Sequence, residues 1–343
     1  MGASFQPARR RINTAKEIKA PGKAFREGIS LIELFDMFPD NAAAERWFAE
    51  HRWPNGKPVC PHCGHNEVQV GAAHSSQPYR CRFYLMCGKR FSVKIGTVME
   101  GSNIPLRKWA IGIYLMVTTL KGVSSMKLHR DLKIGQKAAW HMAHRIRMAW
   151  NGNMADLFNG PAEVDEAYFG GKEANKHADK KLNAGRGTVG KVTVAGVKDR
   201  ESNRISAAVV DSTTKRELHE FVAARVELGS AIYTDDLQSY RGLPNHGTVQ
   251  HSVGEYVAGH AHINGMESFW AMMKRGYYGT HHRMSPKHLD RYVDEFEGRH
   301  NARCDDTVDQ MVDVARGMVG KRLRYRDLIR PNGRPSGARE LAA

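Results

Sequence analysis

The sequence predicts an α/β domain that follows a small cysteine-rich unit and a helical region. Between residues 161 and 303, short apolar runs alternate with amphipathic segments, a pattern typical of an α/β fold. Four of the five cysteines lie between residues 60 and 87. We expect five segments: a basic flexible arm (1–27), a helical unit with the cysteines (28–100), a helical region (101–155), the α/β domain (156–305), and a basic helix and tail (306–343).

The charge of the chain predicts the class of partner. There are 52 Lys and Arg residues against 36 Asp and Glu residues, which gives a formal net charge of +16. Such an excess favours a polyanionic partner such as double-stranded DNA, because each neutralised phosphate releases condensed counterions. No apolar run approaches the roughly 20 residues of a bilayer span, and the basic N-terminus lacks the apolar core of a signal peptide. We therefore expect a cytoplasmic, nucleoid-associated protein that does not bind membranes.

The N-terminal segment contains two kinds of sequence. Residues 1–27 are basic and polar without apolar periodicity, which predicts a loosely attached arm that touches the nucleic-acid backbone. Residues 29–51 show the pattern of a short amphipathic helical unit, in which Asp40 and Asn41 supply the cap. We expect the apolar face of this unit to pack on the cysteine-rich segment.

The clustered cysteines form two knuckles that each end in Cys-Gly. They are Cys60, Cys63, Cys81 and Cys87. This pattern predicts a zinc ribbon with four thiolate ligands. The second pair encloses five residues where about two to four are usual, so its loop must bulge, or His62 or His74 supplies a ligand. A disulfide or a metal-free ribbon is the alternative, although a reducing cytosol disfavours disulfides.

The helical region resembles a helix-turn-helix. Pro105 opens a first helix that Gly122 ends, a second helix starts near residue 124, and a third follows Gly135. The predicted exposed basic face of the third helix comprises Lys137, His144, Arg145 and Arg147. In a helix-turn-helix this last helix enters the major groove, so we expect Lys137, Arg145 and Arg147 to contact DNA. A purely structural three-helix unit is the alternative.

The α/β domain has a recognisable order of elements. Strands are predicted at 162–169, 191–197, 204–210, 230–234 and 247–251, and helices at 214–228, 264–276 and 286–301. Three strands, a helix, a strand and a later helix follow the order of an RNase-H-like fold, a mixed five-stranded sheet with flanking helices. In that fold, acids from the first and fourth strands and from a later helix converge.

Three dispersed acids match this arrangement. Asp165 and Asp235 each close a short apolar or β-prone run, and Glu267 lies on an amphipathic helix with Lys274 two turns further on nearly the same side. Hard divalent cations such as Mg²⁺ prefer carboxylate oxygens. Enzymes that cut nucleic acids commonly use two such ions roughly 3.5–4 Å apart. The pattern predicts a metal-dependent phosphodiester site, although a single acid of this kind is most often a solvated loop residue.

Nine short motifs follow one another along the chain. They are residues 60–63, 90–93, 96–99, 164–172, 233–235, 251–257, 262–270, 274–280 and 299–301. In this order they resemble bacterial insertion-sequence transposases of the DDE type that carry an N-terminal zinc ribbon. The resemblance covers about residues 29–325 and implies an RNase-H-like catalytic domain.

The resemblance also implies roles for single residues. Asp165 and Asp235 would be the first two ligands of two catalytic Mg²⁺ or Mn²⁺ ions. Related subgroups place Asn, His or Glu at the third position, so Glu267 and Asn264 both qualify here. We favour Glu267, because an anionic oxygen binds Mg²⁺ better than an amide does. Asp236 is an alternative second acid.

Further residues are implied to contact DNA. Lys274 would hold a backbone phosphate near the cut, and Lys172 and Arg275 would bind the backbone nearby. The implied reaction is transesterification, in which a cleaved end with a 3′-hydroxyl attacks target DNA, carried out by a homodimer or a higher oligomer on DNA. The alternatives are an RNase-H-like nuclease without strand transfer, a zinc-ribbon DNA-binding regulator and an inactive copy of the element.

Overall fold

The computed structural model describes residues 27–336, apart from residues 75, 153–156, 172–177, 179–180, 182–187 and 250–262. The predictions for Lys172, for the motif at 251–257 and for nearly all of the arm therefore lie outside the described residues. Within the part of the chain that is described, none of the helices is long and apolar enough to cross a bilayer.

The N-terminal part begins with two helices and a small antiparallel sheet. Its elements are α1 (Leu31–Met37), α2 (Asn41–Arg52), β1 (Val68–Gln69), β2 (Tyr79–Cys81) and β3 (Arg90–Phe91). The predicted cap of α2 is confirmed, because the Asp40 side chain accepts a hydrogen bond from the backbone N–H of Ala43 at 2.7 Å. The three strands pair in sequence order to form the ribbon.

Three helices follow the ribbon where the sequence predicts them. They are α3 (Leu106–Thr118), α4 (Ser125–Leu132) and α5 (Gln136–Arg147). Pro105 precedes α3, and the Ser124 side chain caps α4 by accepting from the backbone N–H of Lys127. Trp109 and Ile113 of α3 are fully buried in a core that extends into the ribbon.

The predicted exposed face of α5 is wrong at three of its four basic residues. His144, Arg145 and Arg147 are buried, whereas Lys137 is exposed. Arg145 donates hydrogen bonds to the backbone oxygens of Leu323 and Glu100 at 3.0 and 3.2 Å, and Arg147 pairs with Glu295 at 2.7 Å. Helical periodicity cannot show that an arginine serves as an internal donor. The predicted DNA contacts of Arg145 and Arg147 are therefore not available in this structure.

A mixed five-stranded sheet forms the centre of the α/β domain. Its strands are β4 (Ala162–Phe169), β5 (Val192–Asp199), β6 (Ile205–Val210), β7 (Ile232–Thr234) and β8 (His246–Thr248). They lie in the order β6-β5-β4-β7-β8. β5 pairs antiparallel with β4 and with β6, whereas β7 pairs parallel with β4 and with β8. This order confirms the predicted RNase-H-like fold.

Helices cover both faces of this sheet. They are α6 (Lys215–Ala223) on one face and α7 (Asn264–Gly276) and α8 (Leu289–Asn301) on the other. Because successive side chains of a strand point to opposite faces, Val164 packs in the core with Phe221 of α6, and Ala167 packs in the core with Trp270 of α7. Asp165 and Ala167 are two residues apart and therefore share the face of α7.

Side chains of α8 cover the free edge of β6. The backbone N–H of Ile205 donates to Asn301 Oδ1, and Asn301 Nδ2 donates to the carbonyl oxygen of Ile205, both at 2.8 Å. The backbone N–H of Ala207 donates to Glu297 Oε2, also at 2.8 Å. These bonds satisfy backbone groups that an edge strand otherwise exposes.

An ion-pair network connects α8 to the helical region. Glu295 is fully buried and binds two arginines, with Oε2 at 2.7 Å from Arg147 Nε and Oε1 at 3.1 Å from Arg299 Nη1. Arg299 also donates to the carbonyl oxygens of Thr119 and Leu120 just after α3. The network therefore joins α5, α8 and the end of α3.

The C-terminal segment returns to the N-terminal core. Its helices are α9 (Thr307–Gly317) and α10 (Tyr325–Ile329). Met311 of α9 is fully buried in the core that contains α2, α3 and the ribbon, and the backbone N–H of Val98 donates to the oxygen of Met318 at 3.1 Å. This return was not predicted from the sequence, because the apolar pattern of α9 does not identify its partner.

Candidate active site

The parallel pairing of β4 with β7 places two acids side by side. The register aligns Glu163 with Tyr233, so positions 165 and 235, two residues further along each strand, lie at the same level of the sheet. Asp165 lies inside β4, whereas Asp235 directly follows the last residue of β7. The fold therefore brings together two acids that are far apart in the sequence.

A third carboxylate joins this pair. Asp165, Glu166 and Asp235 each offer a carboxylate oxygen, and these oxygens lie within 4.8 Å of one another. Glu166 was not predicted from the sequence, although its place beside Asp165 is a signal that could have pointed to it. Tyr240 Oη donates a hydrogen bond to Glu166 Oε2 at 2.8 Å. Asp236, the alternative second acid, is exposed and lies outside the group.

Burial and crowding disfavour negative charge in this group. Burial raises the pKa of Asp165 to about 8, and the charges of Glu166 and Asp235 add to the rise. Burial and the charge of Asp235 also raise the pKa of Glu166, while the hydrogen bond from Tyr240 opposes that change. A divalent cation between such oxygens replaces repulsion with attraction, and Mg²⁺ and Mn²⁺ favour carboxylate ligands. The donor set therefore fits a divalent metal.

The helix α7 approaches the sheet closely beside Asp165. Gly196 pairs with Asp165 across the β4–β5 ladder. A Cβ atom at Gly196 would lie 2.3 Å from Met266 Cε and 2.8 Å from Trp270 Cζ2, so only glycine leaves room for the helix. Glu267, one turn into α7, is near enough for its charge to raise the pKa of Asp165, as a smaller cause than burial. Its carboxylate lies outside the group of three.

A buried carboxylate holds the start of α7. Glu163 is 1% exposed and lies two residues before Asp165 on the same face of β4. Its Oε2 accepts hydrogen bonds from the backbone N–H groups of Gly265 and Met266 at 2.8 and 3.1 Å, and its Oε1 accepts from Arg200 Nε at 2.9 Å. The first N–H groups of a helix lack intrahelical partners, so this carboxylate satisfies them. Glu163 was also not predicted from the sequence.

The exposed face of α7 carries polar side chains beside the acids. Asn264 and Glu267 are one turn apart, and Lys274 follows Glu267 by seven residues, which is about two turns and roughly 10 Å along the axis. Lys274 and its neighbour Arg275 are both exposed. Exposed cations at this distance along the helix can reach a substrate that spans the face from Glu267 to Lys274.

The four cysteines of the ribbon come together as predicted. Their sulfur atoms lie within 4.8 Å of one another, with Sγ–Sγ distances of 3.8 Å for Cys60–Cys87 and 3.7 Å for Cys63–Cys81. Tetrahedral thiolates about 2.3 Å from Zn²⁺ would be about 3.8 Å apart. Among the described residues, neither His62 nor His74 belongs to this group. The wide second loop therefore bulges and leaves its two cysteines in place for zinc.

This combination of sheet, acids and ribbon is the architecture of a zinc-ribbon transposase with an RNase-H-like catalytic domain. The family model of the ISXO2-like transposase domain matches residues 158–301, and that of the transposase zinc-ribbon domain matches residues 39–90. Together they cover more than half of the 343 residues. The chain belongs to this family of insertion-sequence transposases.

A similar protein from a transposable element supports this assignment. The chain is 27% identical over 276 residues to an uncharacterized protein in transposable element ISH50 of Halobacterium salinarum. The match covers 76% of this chain and 91% of the relative. It therefore extends well beyond the catalytic domain and includes most of the helical region.

Proposed function

We propose that this transposase cuts the ends of an insertion sequence and joins them to target DNA in a metal-dependent reaction. The observation that carries the proposal is the group of carboxylate oxygens from Asp165, Glu166 and Asp235, within 4.8 Å of one another at the junction of two central strands. A protein surface with a net charge of +16 attracts the DNA that such a site would cut. We expect the reaction to take place in the cytoplasm, at the nucleoid.

The residues of the site would have different roles in this reaction. When bound, two Mg²⁺ or Mn²⁺ ions would activate the attacking hydroxyl and stabilise the entering and leaving oxygens of the phosphodiester. Asp165 and Asp235 would hold the ions, with Glu166 fixed beside them by Tyr240. Lys274 would bind a phosphate near the cut. No covalent intermediate with the protein is required.

The third ligand is proposed to be Glu267. Its charge already acts on Asp165, and its carboxylate is exposed on the side of α7 that carries Lys274. Asn264, one turn earlier, is the auxiliary candidate. The two can be separated by substitution, because Glu267→Gln removes the charge of one and Asn264→Ala removes the oxygen of the other. We expect Glu267→Gln to have the larger effect on the metal requirement.

DNA and a second copy of the chain are the proposed partners. Lys137, Lys274 and Arg275 are exposed and remain proposed DNA contacts. A reaction that joins two element ends to one target needs two active sites, so we expect a homodimer or a higher oligomer on DNA. Sedimentation of the protein with and without paired element ends tests this expectation.

The proposed function is tested with labelled element ends in Mg²⁺. We expect the wild-type protein to nick the ends and to join a pre-cut end to a target duplex. Asp165→Asn should lower both rates by about 10³-fold or more, because it removes an anionic metal ligand, while leaving end binding nearly unchanged. Retained cleavage by Asp165→Asn would remove this residue from the site.

The same assay separates the alternatives. Nicking without joining of the pre-cut end identifies a nuclease. Equal binding with and without Mg²⁺, together with no strand cleavage, identifies a DNA-binding regulator or an inactive copy. Asp236→Asn is the matched control for Asp165→Asn, since Asp236 is exposed and lies outside the carboxylate group. We expect it to cut at close to the wild-type rate.

A further inference from the structure

The bulged loop of the ribbon carries an exposed apolar tip. Tyr84, Leu85 and Met86 lie between the predicted zinc ligands Cys81 and Cys87, and these residues are 51%, 95% and 79% exposed. Apolar side chains exposed singly are common on protein surfaces. Three in succession at the end of a loop form a patch that is costly in water and that indicates a binding surface.

The tip is held in a defined shape. The carbonyl oxygen of Phe83 accepts hydrogen bonds from the backbone N–H groups of Met86, Cys87 and Gly88 at 3.3, 2.8 and 3.1 Å. The ring of Phe83 stacks on His65 with 4.8 Å between ring centroids. These contacts anchor the base of the loop and leave Leu85 projecting, so little conformational entropy would be lost on binding.

The surroundings of the tip are cationic. Arg82, Lys89 and Arg90 are exposed and Arg80 is half-buried, and residues 68–99 contain no Asp or Glu. The guanidinium groups of Arg80 and Arg82 lie 5.2 and 5.6 Å from the centroid of the Tyr84 ring. A second copy of the same surface would be repelled by this charge. An apolar tip within a ring of cations instead fits a polyanion that has apolar surfaces between its charges.

Duplex DNA has that combination, since stacked bases lie between two rows of phosphates. Proteins that bind the minor groove insert Leu, Met, Phe or Ile side chains between base steps and kink the duplex. We propose that Leu85 and Met86 form a wedge that enters a base step from the minor groove while Arg82, Lys89 and Arg90 bind the flanking phosphates. This inference rests on the proposed function, because it assumes that the ribbon binds DNA.

The test compares full-length variants on one probe. The probe is a 30-base-pair duplex of alternating A·T pairs that carries 2-aminopurine, chosen because TA steps unstack easily. We expect wild-type binding to raise 2-aminopurine fluorescence. In the Leu85→Ser, Met86→Ser double variant, that rise should vanish and affinity should fall about tenfold, the scale for partial burial of two apolar side chains. The dependence of affinity on salt should stay unchanged.

Two controls keep the outcome interpretable. Leu228 is an exposed leucine outside the ribbon, 99% exposed, so Leu228→Ser should behave as wild type. Arg82→Ala should reduce the slope of log affinity against log salt by about one phosphate contact without abolishing the fluorescence rise. Zinc content of each variant reports whether the ribbon is intact, and a single Leu85→Ser variant replaces the double variant if zinc is lost.

The outcomes separate the wedge from the function. Wild-type affinity and fluorescence in the zinc-loaded serine variant would overturn the wedge while leaving the transposase proposal intact. Failure of the wild-type protein to bind the duplex at all would count against both. If the serine variant instead loses binding to anionic phosphatidylglycerol vesicles, or dissociates from a dimer, with DNA binding unaffected, the tip serves a lipid surface or a second copy and the inference is wrong.

Discussion

Two carboxylate sites in this protein, one fully buried and one half-buried, are built in opposite ways. Glu295 in α8 is fully buried between Arg147 and Arg299. Although burial alone would raise its pKa, these arginines hold the pKa of Glu295 below its ordinary value. Asp165 is also largely shielded from water, but its neighbours are other acids. Burial and the negative charges of Glu166 and Asp235 raise the pKa of Asp165 to about 8.

The difference separates an acid that serves the fold from acids whose arrangement fits a cation. A buried charge is tolerated when a partner of opposite charge compensates its desolvation. The network around Glu295 contains that compensation within the chain. The group around Asp165 instead gathers like charges, which costs stability unless a cation arrives from solution. We therefore expect the two groups to respond in opposite directions when an acid is removed.

The largest effect is expected at Glu295. Glu295→Ala should lower the free energy of unfolding by roughly 3–5 kcal/mol, because it leaves two buried arginines without their partner. Denaturant titration measures the change. The control is Glu220→Ala, which breaks an exposed pair with Arg216 at 3.8 Å and should cost less than about 1 kcal/mol. Equal losses in the two variants would contradict the structural role of the network.

A smaller effect on catalysis is expected at Glu163, which positions α7 without touching substrate. Glu163→Gln should slow cleavage by about 10–100-fold, because a shift of the helix by about 1 Å displaces Glu267 and Lys274. DNA affinity should change little, and the Mg²⁺ concentration for half-maximal cleavage should rise. Exposed Glu201 provides the control variant Glu201→Gln. If Glu163→Gln lowered the DNA affinity but left the cleavage rate of bound DNA unchanged, a role of Glu163 in positioning α7 would be contradicted.

The smallest effect is expected from pH in the absence of metal. The pKa of Asp165 is about 8 in the folded chain, against 3.8 for an unperturbed aspartate, so the folded protein binds the extra proton and loses stability as pH rises towards 8. In EDTA, the Tm of the wild type should fall relative to that of Asp165→Asn by roughly 2–4 °C between about pH 6 and pH 8.5. Mg²⁺ should raise the Tm of the wild type only. If the Tm values of the two proteins changed in parallel with pH, a destabilising charge at Asp165 would be contradicted.

Much of the fold could be predicted because it follows from local patterns. The strands, helices and caps were set by apolar periodicity and by residues such as Asp40 and Pro105. The closeness of Asp165 and Asp235 could be expected from the order of the strands. The choice of Glu267 over Asn264 as the third ligand stays a prediction, since both lie on one helix face and only contact with the ions distinguishes them.

Four of the misjudged residues share one physical origin. Arg145 and Arg147 have the sequence signature of an exposed basic face, but they donate to Leu323 and Glu295, which are distant in sequence. Glu163 and Glu166 were missed because their partners are a helix start and a tyrosine far along the chain. Polar side chains that find partners in tertiary structure leave no periodic signal.

The edge of β6 has a consequence for how copies of the enzyme meet. Asn301 occupies the hydrogen-bonding positions of Ile205 much as a residue of a sixth strand would. If copies assemble on paired DNA ends as proposed, Asn301 prevents them from fusing into one continuous sheet at Ile205. Each catalytic domain would then keep its own sheet and meet its neighbours through other surfaces.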